Sequence, residues 1–409
     1  MARPTPAEII ARDAADPLAA FRDRFALPDG VIYLDGNSLG PLPRATAARM
    51  ARVIEGEWGT GLIRSWNEHD WIGAPQRIGG KIGRLIGAAP GTVIATDSTS
   101  VNLFKLIVAA TALSPERGTI LTEAGNFPTD LHVARQAAAL LGKRLRVCDT
   151  ADLENAIDAD TALIVLAHVH YRSGHRHDMA AITAHAAAHG ARVLWDLSHS
   201  VGAVPLALAA DGVELAVGCG YKYLNGGPGA PAFLHVAGHL HERMQSPIAG
   251  WLGHAAPFDF ADAYRPAPGV DRFLAGTPPM LSLLALEAGV DLMLAADQAA
   301  LHAKARDLHD LFAADVAAEC PALTRISPDE AERRGSHIAF VHSDAFAIMQ
   351  ALIARGVIGD FRSPDVLRFG LTPLYLRHRD IRDAVTILSD IITGEHWRDP
   401  RFFIRDRVT

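Results

Sequence analysis

Only three cysteines occur in the 409 residues, Cys148, Cys219 and Cys320, too few and too dispersed for a disulfide framework. No run of about 18 apolar residues appears, so no membrane span is expected. The opening MARPTPAEIIARDAADPLAAFRDRF alternates charge with apolar residues and never offers the uninterrupted core of a signal peptide. Basic excess is lacking too. The formal net charge is −7 and Lys and Arg are scattered, which disfavours a nucleic-acid surface. Internal repeats, low-complexity linkers and sustained heptads are missing. No G-x-G-x-x-G follows the first strand, as a NAD-binding unit would need. These absences lead to the expectation of a soluble cytoplasmic protein with no nucleic-acid or membrane partner.

What is present is an apolar share of 49%, ample for a large core and about two domains. Residues 1–30 read as a short helical arm ending at LPDG, and a helix is predicted over 44–58. From about 92 to 236, short apolar or β-branched runs alternate with Ala-rich helical stretches. The runs are TVIATD (92–97), TILTE (119–123), LRVCD (145–149), ALIVLAHV (162–169), RVLWDLS (192–198), LAVGCG (215–220) and APAFLHV (230–236). Helices are predicted at 130–141 and 179–189. Such alternation argues for a mostly parallel sheet covered on both faces. A long helical stretch, 281–319, then leads into a smaller α+β region.

In an open parallel sheet, ligands bind beyond the carboxyl ends of the strands. Four predicted strand ends carry suitable polar residues. TDSTSVN (96–102) is a helix start able to receive a phosphate, unless Ser98, Thr99 or Ser100 is simply an N-cap. EAGNFPTD (123–130) offers Phe127 as a ring to stack on a flat cofactor or as a core residue, with Thr129 or Asp130 able to cap the helix. Asp196 closes an apolar strand in VLWDLSHSVG and needs a cationic partner there, if it is not an N-cap. Lys222, in GCGYKYLNGGPG, is an amine at a strand end. An ammonium is costly to bury, and imine formation with an aldehyde cofactor removes its charge. Any one of these residues has a structural reading; their succession at four strand ends points to pyridoxal phosphate chemistry.

In this combination the chain resembles the kynureninases, members of the aspartate-aminotransferase-like (fold type I) group of pyridoxal phosphate enzymes. The resemblance runs from YLDGNSLGPLP (33–43) almost to the C-terminus and rests on GNSLGPLP, NFPTD, DLSHSVG, GCGYKYLNGGPGAP and LRFGLTPLY. It implies an α/β fold, with a mostly parallel seven-stranded sheet in a large cofactor-binding domain, 46–285, and a smaller C-terminal α+β domain, 286–409, to which an arm, 1–45, contributes.

The resemblance also implies roles. Lys222 would hold pyridoxal 5'-phosphate, Asp196 would pair with its pyridine nitrogen, and Phe127 would stack on the ring. Thr99, Ser100, Pro128, Thr129, Asp130, Ser173, His199 and Tyr221 would line it. Trp251 and Thr277 would reach the phosphate from a neighbouring subunit, making a homodimer with shared active sites. Arg368 would hold the substrate α-carboxylate as a bidentate pair. The stretch WGTGLIRSWNEHDW (58–71) would contribute to the substrate pocket. The chain departs from the family pattern at Thr99-Ser100, where Leu-Thr is usual, and at Ser173, where Thr is common. The implied reaction is hydrolysis of L-kynurenine, or its 3-hydroxy form, to anthranilate or 3-hydroxyanthranilate and L-alanine. Tyr221 would be a proton donor. That reaction belongs to tryptophan catabolism, the kynurenine pathway and NAD biosynthesis.

Alternatives remain within the same fold. A cysteine desulfurase needs a mobile nucleophilic thiol after the lysine, and Cys320 in DVAAECPAL looks structural. An aminotransferase would use the same Lys, Asp and Arg. A metal hydrolase is the reading from another class, because HVHYRSGHRHD (168–178) carries two His-x-His pairs and Asp178. Yet His168 and His170 share a strand face by period-two geometry, and His175 and His177 read as solvated turn residues, so no metal site is expected.

Overall fold

Seven strands form the central sheet: β1 (Val93–Ala95), β2 (Thr119–Glu123), β3 (Arg144–Cys148), β4 (Thr161–Ala167), β5 (Arg192–Asp196), β6 (Leu215–Gly218) and β7 (Phe233–Val236). Their order is β1-β7-β6-β5-β4-β2-β3. The pairs from β6 to β3 are parallel, and β7 runs antiparallel to both β6 and β1. All seven predicted runs are strands, some shorter than expected at their ends. Interior strands such as β4, TALIVLA, are buried along their whole length, as expected of a sheet covered on both faces. β3, at the edge, has no fully buried residue, and its Arg144 and Arg146 pair with Asp160 at 2.9 Å and Asp158 at 2.8 Å.

This computed structural model describes residues 3–405. They fold as two compact units. The larger, Ala48–Tyr171 with His177–Asp291, holds the seven-stranded sheet. Its helices include α1 (Thr99–Thr111), α2 (Pro128–Leu140) and α3 (Met179–Ala188). Leu103, Leu106 and Ile107 of α1 pack with Ala134 and Ala137 of α2 over Ile120, Leu163, Val165, Leu194 and Val217. Burying each such Leu, Ile or Val contributes about 1.5–3 kcal/mol.

The smaller unit comprises the described residues up to Ala47, Arg172–Arg176, and the chain from Leu292 onward. It contains an antiparallel sheet of β8 (Thr324–Arg325), β9 (His337–Val341), β10 (Asp360–Arg362) and β11 (Val366–Gly370), ordered β10-β11-β9-β8. Helices Gln298–Glu319 and His378–Thr393 belong to it, as does Pro6–Ala14, which starts with a Thr5/Glu8 capping box. Among the described residues, no helix is long and apolar enough to cross a membrane.

Two expectations are corrected. The stretch 281–319 is two helices, Met280–Leu294 and Gln298–Glu319. Asp297 breaks it by adopting an extended backbone and accepting a hydrogen bond from Ala300 N at 2.8 Å, an N-cap inside an apolar run. The helix predicted over 44–58 is α-helical only to Arg52 and then π-helical over Val53–Gly61. Gly56, Gly59 and Gly61 weaken the α form there, while the Ser65 hydroxyl bonds the Glu57 carbonyl and Trp71 Nε1 donates to Glu57 Oε2 at 2.8 Å.

Candidate active site

The loop after β6 is folded around Lys222. Gly226 N donates to Gly220 O at 2.9 Å and Asn225 N to Lys222 O at 2.9 Å. A side chain at Gly226 would lie 2.7 Å from Gly220 O, and one at Gly220 would lie 2.3 Å from Pro231 O. That close approach explains the glycines flanking the lysine. Lys222 is only 8% exposed. Its Nζ lies 2.9 Å from His199 Nε2 and within 5.7 and 5.8 Å of the ring centres of Phe127 and Tyr221. The amine is thus held by an imidazole and two aromatic faces rather than released to solvent.

Two buried carboxyls complete the group. Asp196 ends β5, and its Oδ1 accepts from Ser198 N at 2.8 Å and Ser198 Oγ at 2.6 Å. Asp130 sits in the first turn of α2, fully buried beside Asp196. Burial pushes Asp196 upward, against the pull of Ser198 and Lys222. Burial and the neighbouring Asp196 push Asp130 well above the ordinary carboxylate range. A protonated ring nitrogen is the kind of partner this acid pair is built to receive.

Around this centre, Ser98 rather than Thr99 or Ser100 caps α1, accepting from Val101 N at 3.4 Å. Thr99 and Ser100 therefore occupy the first turn, half-exposed. Phe127 is the cap residue of α2 and Pro128 its first helical residue, so neither Thr129 nor Asp130 is the N-cap. The Phe127 ring meets Tyr171 edge-on, 5.3 Å between centres. Trp251 packs edge-on against Phe258 at 5.8 Å, and Thr277 is exposed. Ser173 and Arg368 belong to the smaller unit. Ser173 O accepts from Ser327 Oγ at 2.6 Å. Arg368, on β11, gives Nε to Asp360 Oδ1 at 2.8 Å and Nη2 to Asp360 Oδ2.

The histidines are used differently from expectation. His177 is buried, its Nε2 2.8 Å from Glu123 Oε1, so it is no solvated turn residue. Although burial opposes it, His177 holds the Glu123 carboxyl below its usual range. His168 Nδ1 lies 2.9 Å from Ser200 Oγ, and Asp178 caps α3 through Ala181 N at 3.0 Å. Among the described residues no group of side chains is arranged to hold a metal ion. Cys320 is wholly buried at a helix end, and burial raises its thiol to about 11, unlike a mobile nucleophile. The acid behind Arg368, Asp360, was missed from sequence; no local motif marks it.

The family described as "Kynureninase C-terminal domain" matches residues 301–388, and the "DegT/DnrJ/EryC1/StrS aminotransferase family" matches 88–206. A kynureninase of Pseudomonas fluorescens is 47% identical over 98% of this chain and 99% of its own length. One of Burkholderia pseudomallei (strain 1106a) is 48% identical over the same shares, 98% and 99%. Among solved structures, a cysteine desulfurase of Thermococcus onnurineus NA1 superposes with a TM-score of 0.78 at 17% identity, covering 92% of this chain and 98% of that one. A variant of C-DES carrying glycine linked to its PLP cofactor gives 0.80 at 18% identity, covering 90% and 99%. At such low identity the solved structures speak for the fold alone, which is the α/β fold of type I pyridoxal phosphate enzymes. The buried amine and the acid pair fit that cofactor.

Proposed function

The chain belongs to the kynureninase family, and from that premise we propose that this pyridoxal phosphate enzyme hydrolyses the Cβ–Cγ bond of L-kynurenine, with the 3-hydroxy form as a second candidate substrate. The observation that carries the reading is the Lys222 amine, 2.9 Å from His199 and adjoining the buried carboxyls of Asp196 and Asp130. When bound, pyridoxal phosphate supplies an aldehyde for an amine and a ring that accepts electrons from bonds at the substrate α-carbon.

The residues divide the remaining work. Lys222 would provide the amine for the aldehyde and move the proton at the substrate α-carbon. Asp196 would pair with the ring nitrogen and favour its protonated form, and Phe127, with Pro128 and Thr129 after it, would line the ring. Thr99 and Ser100 receive the phosphate at the start of α1, where backbone N–H groups and the helix dipole favour an anion. Tyr221 would donate the proton that the β-carbon gains. Arg368 binds the α-carboxylate. In the net reaction one water adds its hydroxyl to the γ-carbon, giving anthranilate, and the β-carbon gains a proton, giving L-alanine.

Trp251 and Thr277 of a second copy complete the phosphate site, so the working enzyme is a homodimer. Several large apolar side chains left exposed in the larger unit, among them Trp58, Leu62, Ile63, Phe258 and Phe260, support such an interface. We place the enzyme in the cytoplasm, in tryptophan catabolism, upstream of NAD biosynthesis. The test is incubation of the cofactor-loaded protein with L-kynurenine and no keto acid. Equimolar anthranilate and L-alanine are expected. Consumption only when a keto acid is added would indicate an aminotransferase instead.

A further inference from the structure

The smaller unit holds its arginine in an unusually complete clamp. Arg368 and Asp360 are directly opposite each other on antiparallel β11 and β10. Asp360 takes the Nε/Nη2 edge of the guanidinium. Ser38 joins the pair from the GNSLG loop: its hydroxyl donates to Asp360 Oδ2 at 2.7 Å and accepts from Arg368 Nη2 at 3.0 Å. Arg362 Nη2 adds bonds to Asp360 Oδ2 at 2.7 Å and Ser38 Oγ at 3.2 Å. A hydroxyl has one donor and two acceptor sites, and Ser38 uses all three.

The loop that brings Ser38 is itself wedged in place. Gly370 N donates to Leu34 O at 2.7 Å, and a side chain at Gly370 would lie 2.0 Å from Asn37 Oδ1. Gly36 has the same constraint, because a Cβ there would lie 2.4 Å from the Tyr375 hydroxyl. Arg368 and Asp360 are both almost fully buried, at 1% and 3% exposure. A buried arginine with one edge fixed has lost its rotamer freedom before any ligand arrives, which lowers the ordering cost of binding. Arg362 brings a second guanidinium to Asp360, and the Asp35 carboxyl neighbours the same group.

We propose that Asp360 and Ser38 are positioning residues that fix the plane of the Arg368 guanidinium for the substrate α-carboxylate. This rests on the reading of Arg368 given above. The test compares Asp360→Asn, Asp360→Glu, Ser38→Ala and Arg368→Gln in the cofactor-loaded enzyme. Asp360→Asn should raise KM for L-kynurenine about tenfold or more while kcat changes less, by about threefold at most. Ser38→Ala should raise KM severalfold, and Asp360→Glu should recover part of the loss. Inhibition by kynuramine, which is kynurenine without its carboxylate, should stay unchanged in all of them.

If Arg368→Gln leaves KM unaltered, the carboxylate reading itself fails. If Arg368→Gln raises KM while Asp360→Asn and Ser38→Ala do not, only the positioning inference fails. Equal weakening of kynuramine would mean general damage to the site and would also overturn it. Ser38→Ala removes a single oxygen from a half-buried site, so it decides the matter should Asp360→Asn not fold.

Discussion

The Nζ atom of Lys222 stands 2.9 Å from Nε2 of His199, although the two lie on different loops following β6 and β5. An amine so placed has a hydrogen-bond partner that does not compete as a counter-ion, which keeps it suited to condensation with an aldehyde. Replacing Lys222 by Ala should abolish the visible absorbance of the cofactor-loaded enzyme and reduce anthranilate formation to background. Borohydride reduction followed by digestion checks this independently: the labelled peptide should contain residue 222. A label on another lysine would refute the assignment.

Tyr221 adjoins the same amine, with its ring centre 5.8 Å from Nζ. As a proton donor it should contribute about 10²-fold or more to turnover. Tyr221→Phe is therefore expected to retain cofactor and lose turnover on that scale, as read from anthranilate fluorescence. Near-normal turnover would remove Tyr221 from the chemistry.

Asp130 carries a linked prediction about pH. Its carboxyl is raised in the folded protein by burial and by Asp196. A raised carboxyl contributes stability that is complete below its unfolded value, about 4, and is lost as pH climbs towards the folded value. Protein stripped of cofactor should thus melt at a lower temperature at pH 8 than at pH 5, and Asp130→Asn should reduce that difference. Loading the cofactor should reduce it as well, because the ring nitrogen brings the missing positive charge.

Asp35 behaves similarly in the smaller unit. Burial, and then the charge of Asp360, raise it to about 7. Asp360 itself is brought down to about 2: burial opposes this, but Arg368 outweighs it. The Asp35 contribution to stability should be present below about pH 4 and lost as pH rises through 7. Asp35→Asn should flatten that part of the stability profile in urea titrations from pH 4 to 8. An unchanged slope would show that Asp35 does not titrate in this range.

The seven strands were legible because interior parallel strands read as unbroken runs of Val, Ile and Leu, while short Ala-rich helices separate them. The elements misjudged are those in which a single side chain overrides periodicity. Asp297 interrupts a helical pattern that apolar spacing would continue. Glu57, bonded to Arg49 and Trp71, accompanies a switch from α to π geometry that no repeat announces. His177 looked solvated because its partner Glu123 is far away in sequence and reaches it only from the end of β2. Lys222, Asp196 and Phe127 could be singled out because each sits at a recognisable strand end, whereas His199 came only through the family resemblance. Asp360 could not, because its meeting with Arg368 depends on the register of β10 against β11, and register is not written in either strand alone.

The outer strand of the large sheet has a consequence for handling the protein at high concentration. An open strand edge is a template on which another chain can polymerise. Arg144 and Arg146 put two charges on that strand, each tethered to an aspartate on a neighbouring loop. Salt weakens exposed pairs of this kind, so concentrated stocks should keep best at low ionic strength. Exchanging both arginines for valine should turn a well-behaved solution into one that gels or forms fibres.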